Sequence, residues 1–495
     1  LNNKMILMGD LMMLDMALKK TCAAMLLSFV TTYASAENLT EIYDIAKQSD
    51  PTILSAKQEL SATLELKNQA MAAFMPTIAL TGDRTRTDIE SDVTGVSTLT
   101  GEVSDVSNAD FTTTTLTLSA QQPLFHYENH IAWRQVGDQL SQAKSNYTAA
   151  EQSLVLRTMQ SYFDVLAAMN NLEFSTSEKD STKRHLDQTK KRYQVGLIAK
   201  TDVSEAQARY DLAIAEEIAA ENNYQNKLES LREITNQYHE NLSSLKSNLS
   251  LQSPEPNNID EWAKLALQNN PSVLGFQKGV EAARKQIKLE TSNHFPTADL
   301  VASWVRSEDD QSSTSVITTS LFAKDANGNL SLDSNGNPIP VTGTLTSTEK
   351  TNTTLAFGVQ FTVPIFSGFA VTSKQREARF KYKQALSDLD KQRRTVVSQT
   401  RQAFLGVKAS LSRIKALKQA VKSNKSRLKA TESGYKVGTR TIVEVLDAQK
   451  DYHRAQRDRD NEQYNYIIRR VSLKQAAGNL SSEDLFEVNG WLKAN

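Results

Sequence analysis

Thr354-Leu355-Ala356-Phe357-Gly358-Val359-Gln360-Phe361-Thr362-Val363 alternates large apolar residues with small or polar ones without a break. A period of two puts Leu355, Phe357, Val359, Phe361 and Val363 on one face of a β-strand and Thr354, Ala356, Gly358, Gln360 and Thr362 on the other. About ten such residues make a tilted strand that crosses a bilayer. The run from Thr112 to Gln121 alternates less cleanly, with Leu116, Leu118 and Ala120 on one side. Thr77 to Arg84 and Ala298 to Arg306 are the expected partners of these two strands. Four strands of barrel type are therefore predicted.

Outward from these strands the chain repeats itself. Asp50-Pro51 and Asn270-Pro271 stand in matching frames, 220 residues apart, as do Pro76-Thr77 and Pro296-Thr297. Gln122-Pro123-Leu124-Phe125 matches Val363-Pro364-Ile365-Phe366 at an offset of 241, and Tyr193-Gln194-Val195-Gly196 matches Tyr435-Lys436-Val437-Gly438 at 242. Self-similarity of this kind marks an internal duplication. It divides the chain into a first repeat (37–250), a linker (251–258) with Pro254 and Pro256, a second repeat (259–480) and a C-terminal segment (481–495). An insertion holding Pro338 and Pro340 accounts for most of the change in offset.

Each half has the same order of elements. A helix runs from Pro51 to about Phe74 and again from Pro271 to about His294, with proline at a first turn. Two strands follow, joined by polar loops at Glu90–Asp110 and Asp309–Lys350. The longer loop carries Asn327-Gly328 and Asn335-Gly336, which predict hairpin turns. Next comes a very long helical stretch: 58 residues without Gly or Pro separate Gly137 from Gly196. Leu140, Ala143, Tyr147, Ala150 and Leu154 follow a 3,4 spacing that resumes, shifted in phase, at Tyr162, Val165, Met169 and Leu172. Phe404, Val407, Leu411 and Ile414 repeat the pattern in the second half. This is coiled-coil packing with a stutter. Seventy residues of helix span about 105 Å, too long for one globular core.

Composition agrees. Among 495 residues there are only 18 Gly and 10 Pro, so elements are few and long. The 57 basic residues equal the 57 acidic ones, which excludes a nucleic-acid binder working by general attraction. Met16 to Ala36 reads as the core of a signal peptide (1–36, with Met16 a candidate start): Lys19 and Lys20, an apolar Cys22–Val30, and Ala34-Ser35-Ala36 before cleavage. Cleavage there leaves no thiol, so disulfides and thiol catalysis are not expected. No later segment reaches the ~18 apolar residues of a membrane helix. His126 and His130 have i,i+4 spacing, but Tyr127 breaks the zinc-protease pattern. The Asp309–Lys350 loop lacks the ligand spacing of an EF-hand. With no Gly-rich phosphate loop and no serine elbow, neither an enzyme nor a metal or cofactor site is expected.

Four strands cannot close a barrel, and lipid tolerates no open sheet edge. Outer-membrane barrels need eight strands or more. A cyclic homotrimer with a 12-stranded outer-membrane β-barrel is the simplest closure, the helices continuing its wall as a periplasmic tube. The alternative is a soluble coiled-coil protein with two β-hairpins at one end, an adaptor or an adhesin. An adaptor has one helical hairpin between split β-domain halves, and an adhesin anchors through terminal strands. Here two equivalent halves carry internal strands.

Over about Leu39 to Leu480 the chain resembles the TolC family of outer-membrane efflux proteins. The most specific match is Gly438-Thr439-Arg440-Thr441-Ile442-Val443-Glu444-Val445-Leu446-Asp447-Ala448, with Val195-Gly196-Leu197-Ile198-Ala199-Lys200-Thr201-Asp202-Val203 as its first-half counterpart. The resemblance implies a mainly α fold with a trimeric 12-stranded barrel continuous with a long α-helical coiled-coil barrel. It also implies a passive exit duct for efflux and type I secretion. Its partners would be periplasmic adaptor (membrane fusion) proteins, inner-membrane pumps or ABC transporters reached through them, and outer-membrane lipid. The Asp309–Lys350 insertion is longer than the family's short external loops.

Gly196 and Gly438 each end a long helix, and a C′ glycine is sufficient reason for both. By resemblance, Val195, Gly196, Leu197, Val437, Gly438 and Thr439 also meet adaptor hairpins at the periplasmic tip. Glu444 and Asp447, three apart, share a helix face that Asp451 continues. That face is either solvated, with Glu444 closing a capping box begun by Thr441, or it faces a pore. In a trimer the two would supply six carboxylates, and the resemblance places them at the periplasmic constriction, with Glu where the family has Asp. The resemblance also implies a gate clasp in which Arg440 bonds Asp202 and Thr201, and Tyr435 bonds Asp202. A second link would join His185 to Glu432 and weaken as the imidazole loses its charge.

Overall fold

The computed structural model describes residues 36–91, 95–96, 103–104, 107–239, 241–246, 251–313, 315–345 and 349–493. The expected signal peptide, Cys22 included, lies outside the described residues except for Ala36. In chain order the elements are α1 (Leu39–Ser49), α2 (Pro51–Ala72), β1 (Thr77–Ser91), β2 (Gly95–Val96), β3 (Val103–Ser104), β4 (Ser107–Phe125), α3 (Tyr127–Gln194) and α4 (Lys200–Thr235). There follow α5 (Ile259–Asn269), α6 (Pro271–Ser292), β5 (Thr297–Ser313), β6 (Ser315–Phe322), β7 (Pro340–Leu345), β8 (Glu349–Thr362), α7 (Ala370–Lys436), α8 (Ile442–Ala476) and α9 (Ser482–Asn489). The duplication is visible in the lengths: α3 and α7 have 68 and 67 residues, α4 and α8 have 36 and 35.

The repeats are not the compact units. One unit takes 62–141 and 278–387, and the other takes the remainder, so each half contributes to both. The first unit holds an antiparallel sheet in the order β1-β4-β5-β8. Its strands, at 15, 19, 17 and 14 residues, outrun the alternating cores expected from sequence, because pairing continues into the polar stretches beyond them. Register brings the apolar residues into rows: Leu80, Leu118, Trp304 and Leu355 stand side by side, as do Ile78, Ala120, Ala302 and Phe357. The opposite face reads Thr81, Thr117, Val305 and Thr354 in the same way. The apolar face is uncovered within the chain, with Ile78 70% and Phe357 82% exposed. Among the described residues β1 and β8 each pair on one side only.

The two Asn-Gly pairs make turns, though not as two-residue hairpin loops. Each turn starts at an aspartate two residues before the Asn. Asp325 O accepts from the Gly328 amide (3.0 Å) and Asp333 O from that of Gly336 (3.0 Å). The glycines take φ of 83° and 84°, the left-handed conformation that closes such loops. The carboxylates of Asp325 and Asp333 accept the amides of Asn327, Asn329, Asn335 and Asn337. At the base of the sheet His126 bridges the Glu128 (2.8 Å) and Asp299 (3.0 Å) carboxylates.

The second unit contains the main core, where Tyr162, Phe163, Leu166, Tyr466 and Ile467 are fully buried with Leu39 and Ile42 of α1. Buried hydroxyls find backbone acceptors: Tyr162 donates to Ser243 O (2.8 Å) and Tyr466 to Gln252 O (2.7 Å). The C-terminal segment belongs to this core through Leu485, Val488 and Leu492. Pro51 and Pro271 open α2 and α6 as expected, each behind a capping side chain. Asp50 accepts from the Thr52 amide (3.3 Å), and Asn270 from that of Ser272 (3.0 Å). Asp50 also pairs with Arg157 (2.5 Å).

Candidate functional site

The two turns that join α3 to α4 and α7 to α8 share one backbone solution. Gly196 and Gly438 sit at φ of 76° and 80°. The Leu197 amide donates to Arg192 O (3.0 Å) and the Thr439 amide to Gly434 O (2.9 Å), the 6→1 bond of a Schellman ending. Val195, Leu197 and Val437 are exposed at 69%, 73% and 74%, so each turn presents bare apolar side chains. Sequence reading overlooked Gly434. A Cβ there would lie 2.7 Å from Arg440 Cγ, so the missing side chain lets Arg440 fold over the end of α7.

The helix starts differ. Thr441 caps α8 by accepting from the Glu444 amide (3.3 Å), while Glu444 accepts the Thr441 amide (2.7 Å), a complete capping box. Thr441's backbone and Arg440 hold the Glu444 carboxyl below the usual carboxylate range. At α4 the equivalent residue is Ala199, which has no side-chain oxygen. There the Asp202 carboxylate accepts the Ala199 amide at 3.3 Å.

The acidic face of α8 is matched by arginines one for one. Arg440 bonds Glu444 (2.7 Å), Arg209 of α4 bonds Asp447 (2.8 Å), and Arg427 of α7 bonds Asp451 (2.6 Å). Within one copy Arg440 pairs with Glu444, one turn away on its own helix, and the bonds to Asp202 and Thr201 expected of the clasp are not made there. The reason is proximity, since an i,i+4 pair needs no reach across helices. Tyr435 lies under the Arg192 guanidinium (5.1 Å to the ring centroid) instead of bonding Asp202. Asp202 and Tyr435 do line one cavity of about 230 Å³, together with His185, Arg192, Glu205 and Arg209. No signal in the sequence singled out Arg209, one arginine in a charged helix.

His185 is 8% exposed, and its expected link to Glu432 does not form. Its Nε2 lies 3.4 Å from the Thr189 hydroxyl. Burial, with Arg209 and Arg192 nearby, pushes the imidazole pKa down, so it is already neutral where a charged link would be required.

Known proteins resemble this chain along most of its length. The family described as "Outer membrane efflux protein" matches residues 42–237 and 262–479, a two-part match that follows the duplication. Outer membrane protein TolC of Vibrio cholerae is 35% identical over 460 residues, covering 92% of this chain and 94% of that protein. Alkaline protease secretion protein AprF of Pseudomonas aeruginosa is 26% identical, covering 91% of this chain and 86% of that protein. Among solved structures, the CmeC outer membrane channel of Campylobacter jejuni superposes with a TM-score of 0.69 at 17% identity, covering 94% of each chain.

Proposed function

The chain belongs to the outer membrane efflux protein family, and from that premise we propose that three copies close a 12-stranded barrel and open through a periplasmic gate at the two helical turns. It is an outer-membrane exit duct for efflux and secretion. The observation that carries the trimer is the sheet itself: four strands, two unpaired edges and one bare apolar face, which lipid tolerates only in a closed ring. Pairing β8 of one copy with β1 of the next closes that ring without leaving an edge.

The gate is built on α8. Glu444 and Asp447, repeated three times, form the constriction, and the arginines beside them set its field. A ring of free carboxylates attracts cations and excludes anions, whereas carboxylates held by Arg440 and Arg209 do so weakly. The clasp holds the gate shut: in the closed trimer Arg440 leaves Glu444 for Asp202 and Thr201, Tyr435 bonds Asp202, and opening releases these bonds. Val195, Gly196, Leu197, Val437, Gly438 and Thr439 offer exposed apolar anchors to a periplasmic adaptor, through which inner-membrane pumps or type I secretion transporters deliver cargo. AprF's name, a protease secretion protein, supports protein cargo beside small molecules. Native mass measurement of the protein extracted from outer membranes tests the assembly. A trimer is expected, and a soluble periplasmic monomer would overturn it.

A further inference from the structure

The charged groups beside the two turns do not all find partners. Where α3, α4, α7 and α8 meet there, they leave the cavity of about 230 Å³ that has Asp202 and Tyr435 in its wall. Of its charged residues, Glu205 bonds Arg209 (3.2 Å), which also bonds Asp447. Arg192 and Asp202 are left over. Among the described residues the Arg192 guanidinium has no carboxylate partner and lies over the Tyr435 ring. The Asp202 carboxylate accepts only the Ala199 amide. Two polar groups of α3 share this state: neither the Gln188 amide nor the buried Nδ1 of His185 has a hydrogen bond among the described residues. Ile198, Ala206, Ile442 and Val443 supply the apolar part of the lining.

Those leftovers select a chemistry. An inorganic anion would gain Arg192, meet Asp202 as a like charge and leave the apolar lining uncovered. A simple cation meets the reverse difficulty. An organic acid with one flat apolar body and a hydroxyl at its far end suits all three parts of the wall. Its carboxylate takes the planar guanidinium fork of Arg192, its ring covers Ile442 and Val443, and its hydroxyl donates to Asp202. A water-filled groove is the common fate of a space between helices, but it does not call for an unpaired cation and an unpaired acid in one partly apolar wall.

Position gives such a ligand an effect. Asp202 and Tyr435 are the two residues that the clasp would join, and both line this cavity, so forming the clasp closes the space between them. Here Tyr435 is held under Arg192, and Asp202 is occupied only by a backbone amide. A ligand shifts a two-state equilibrium by its difference in affinity for the two states. A molecule seated between Asp202 and Tyr435 binds the unclasped state alone.

We propose that this cavity binds an amphipathic aromatic carboxylate on Arg192 and Asp202, and that the bound molecule keeps Tyr435 from Asp202 and so holds the gate unlatched. The proposal rests on the gate read from the two turns and adds to it a ligand that opens it. Small-molecule cargo of this class would then ease its own exit.

The test uses the full-length protein in lipid nanodiscs, with 3-fluoro-4-hydroxyphenylacetate as the probe and its fluorine line width as the readout. Binding should be saturable in the wild type and ~10-fold weaker in Arg192→Gln, the loss of one charge-assisted hydrogen bond. It should be absent in Ile198→Trp, which fills the cavity from the turn and serves as an independent variant. In planar bilayers, at a concentration that saturates only the wild type, the probe should raise wild-type conductance and leave both variants as they were. Arg440→Ala, which loses the clasp and keeps the cavity lining, should conduct without the probe and still bind it. Broadening that is absent, or equal in the wild type and both cavity variants, overturns the site. Saturable binding that depends on Arg192 but leaves wild-type conductance unchanged overturns the opening effect. In both cases a higher conductance of Arg440→Ala leaves the gate standing. Wild-type conductance in a folded Arg440→Ala removes the gate, and the opening effect with it.

Discussion

The turn at Gly196 and the turn at Gly438 have one backbone and two chemistries. Both end a helix of nearly 70 residues with a left-handed glycine and the same 6→1 bond. After Gly438 the chain enters a side-chain network: Thr441 caps α8, Glu444 closes the box, and Arg440 covers Glu444. After Gly196 it enters α4 behind Ala199, with Asp202 bonded only to a backbone amide. Duplication thus preserved what the fold requires, the reversal of a long helix, and let the helix starts diverge. The second-half turn is fixed by its own residues, whereas the first-half turn leaves Asp202 free to take a partner.

The largest difference between the halves lies at the helix entries. Asp50 is buried against Arg157, whereas its counterpart Asn270 is neutral and bonds Ala476 O (3.0 Å). Asp50→Ala leaves the guanidinium unpaired and is expected to cost about 3 kcal/mol. Asn270→Ala should cost about 1 kcal/mol as a lost cap. Thermal unfolding of both variants checks the ranking, and equal losses would break the comparison. Burial opposes ionisation of Asp50, but Arg157 and the Thr52 amide outweigh it and hold the carboxyl below its usual value. Its contribution is therefore complete above the ordinary carboxylate range and lost as pH falls through the depressed value. Asp50→Asn should remove that acid limb from a plot of stability against pH.

Gly196→Ala and Gly438→Ala should come next, at about 1–2 kcal/mol each. Neither added Cβ would meet anything within 4 Å, so the cost is the backbone alone and should be the same in both halves. Unequal losses in paired unfolding measurements would mean that one turn carries a constraint the other lacks. The smallest effects separate the starts. Thr441→Ala should weaken the first turn of α8 by about 1 kcal/mol, and Ala199→Ser should strengthen that of α4 by about 0.5 kcal/mol. Amide exchange at Glu444 should quicken and at Asp202 slow, so that the two turns converge. Unchanged exchange at Asp202 would show that its amide is already held by the Ala199 carbonyl, to which it donates at 3.2 Å.

Features fixed by local chemistry were legible in the sequence. The alternation from Leu355 to Val363 marked the edge strand β8, the repeated prolines marked helix entries, and the C′ glycines marked both turns. Non-local partners were harder to read. Arg440 has carboxylates on two sides, and only the folded chain shows that the one four residues away wins. Arg209 is unremarkable until α4 lies beside α8. The C-terminal segment was read only as a segment, because eight residues of helix carry too weak a pattern, yet Leu485 and Val488 are core. Spacing put Glu444 and Asp447 on one face of α8 and left their arginines unread.

The central claim is a duct whose aperture is governed by arginines held on the acids of α8. Single-channel conductance and ion selectivity in planar bilayers test it most directly, with the wild type beside Arg209→Ala/Arg440→Ala and Asp202→Ala/Arg440→Ala. The account predicts a low-conducting wild type, higher conductance in both double variants, and a sharper cation preference where Arg209 and Arg440 no longer hold Asp447 and Glu444. Correctly folded variants with wild-type conductance and selectivity would contradict it.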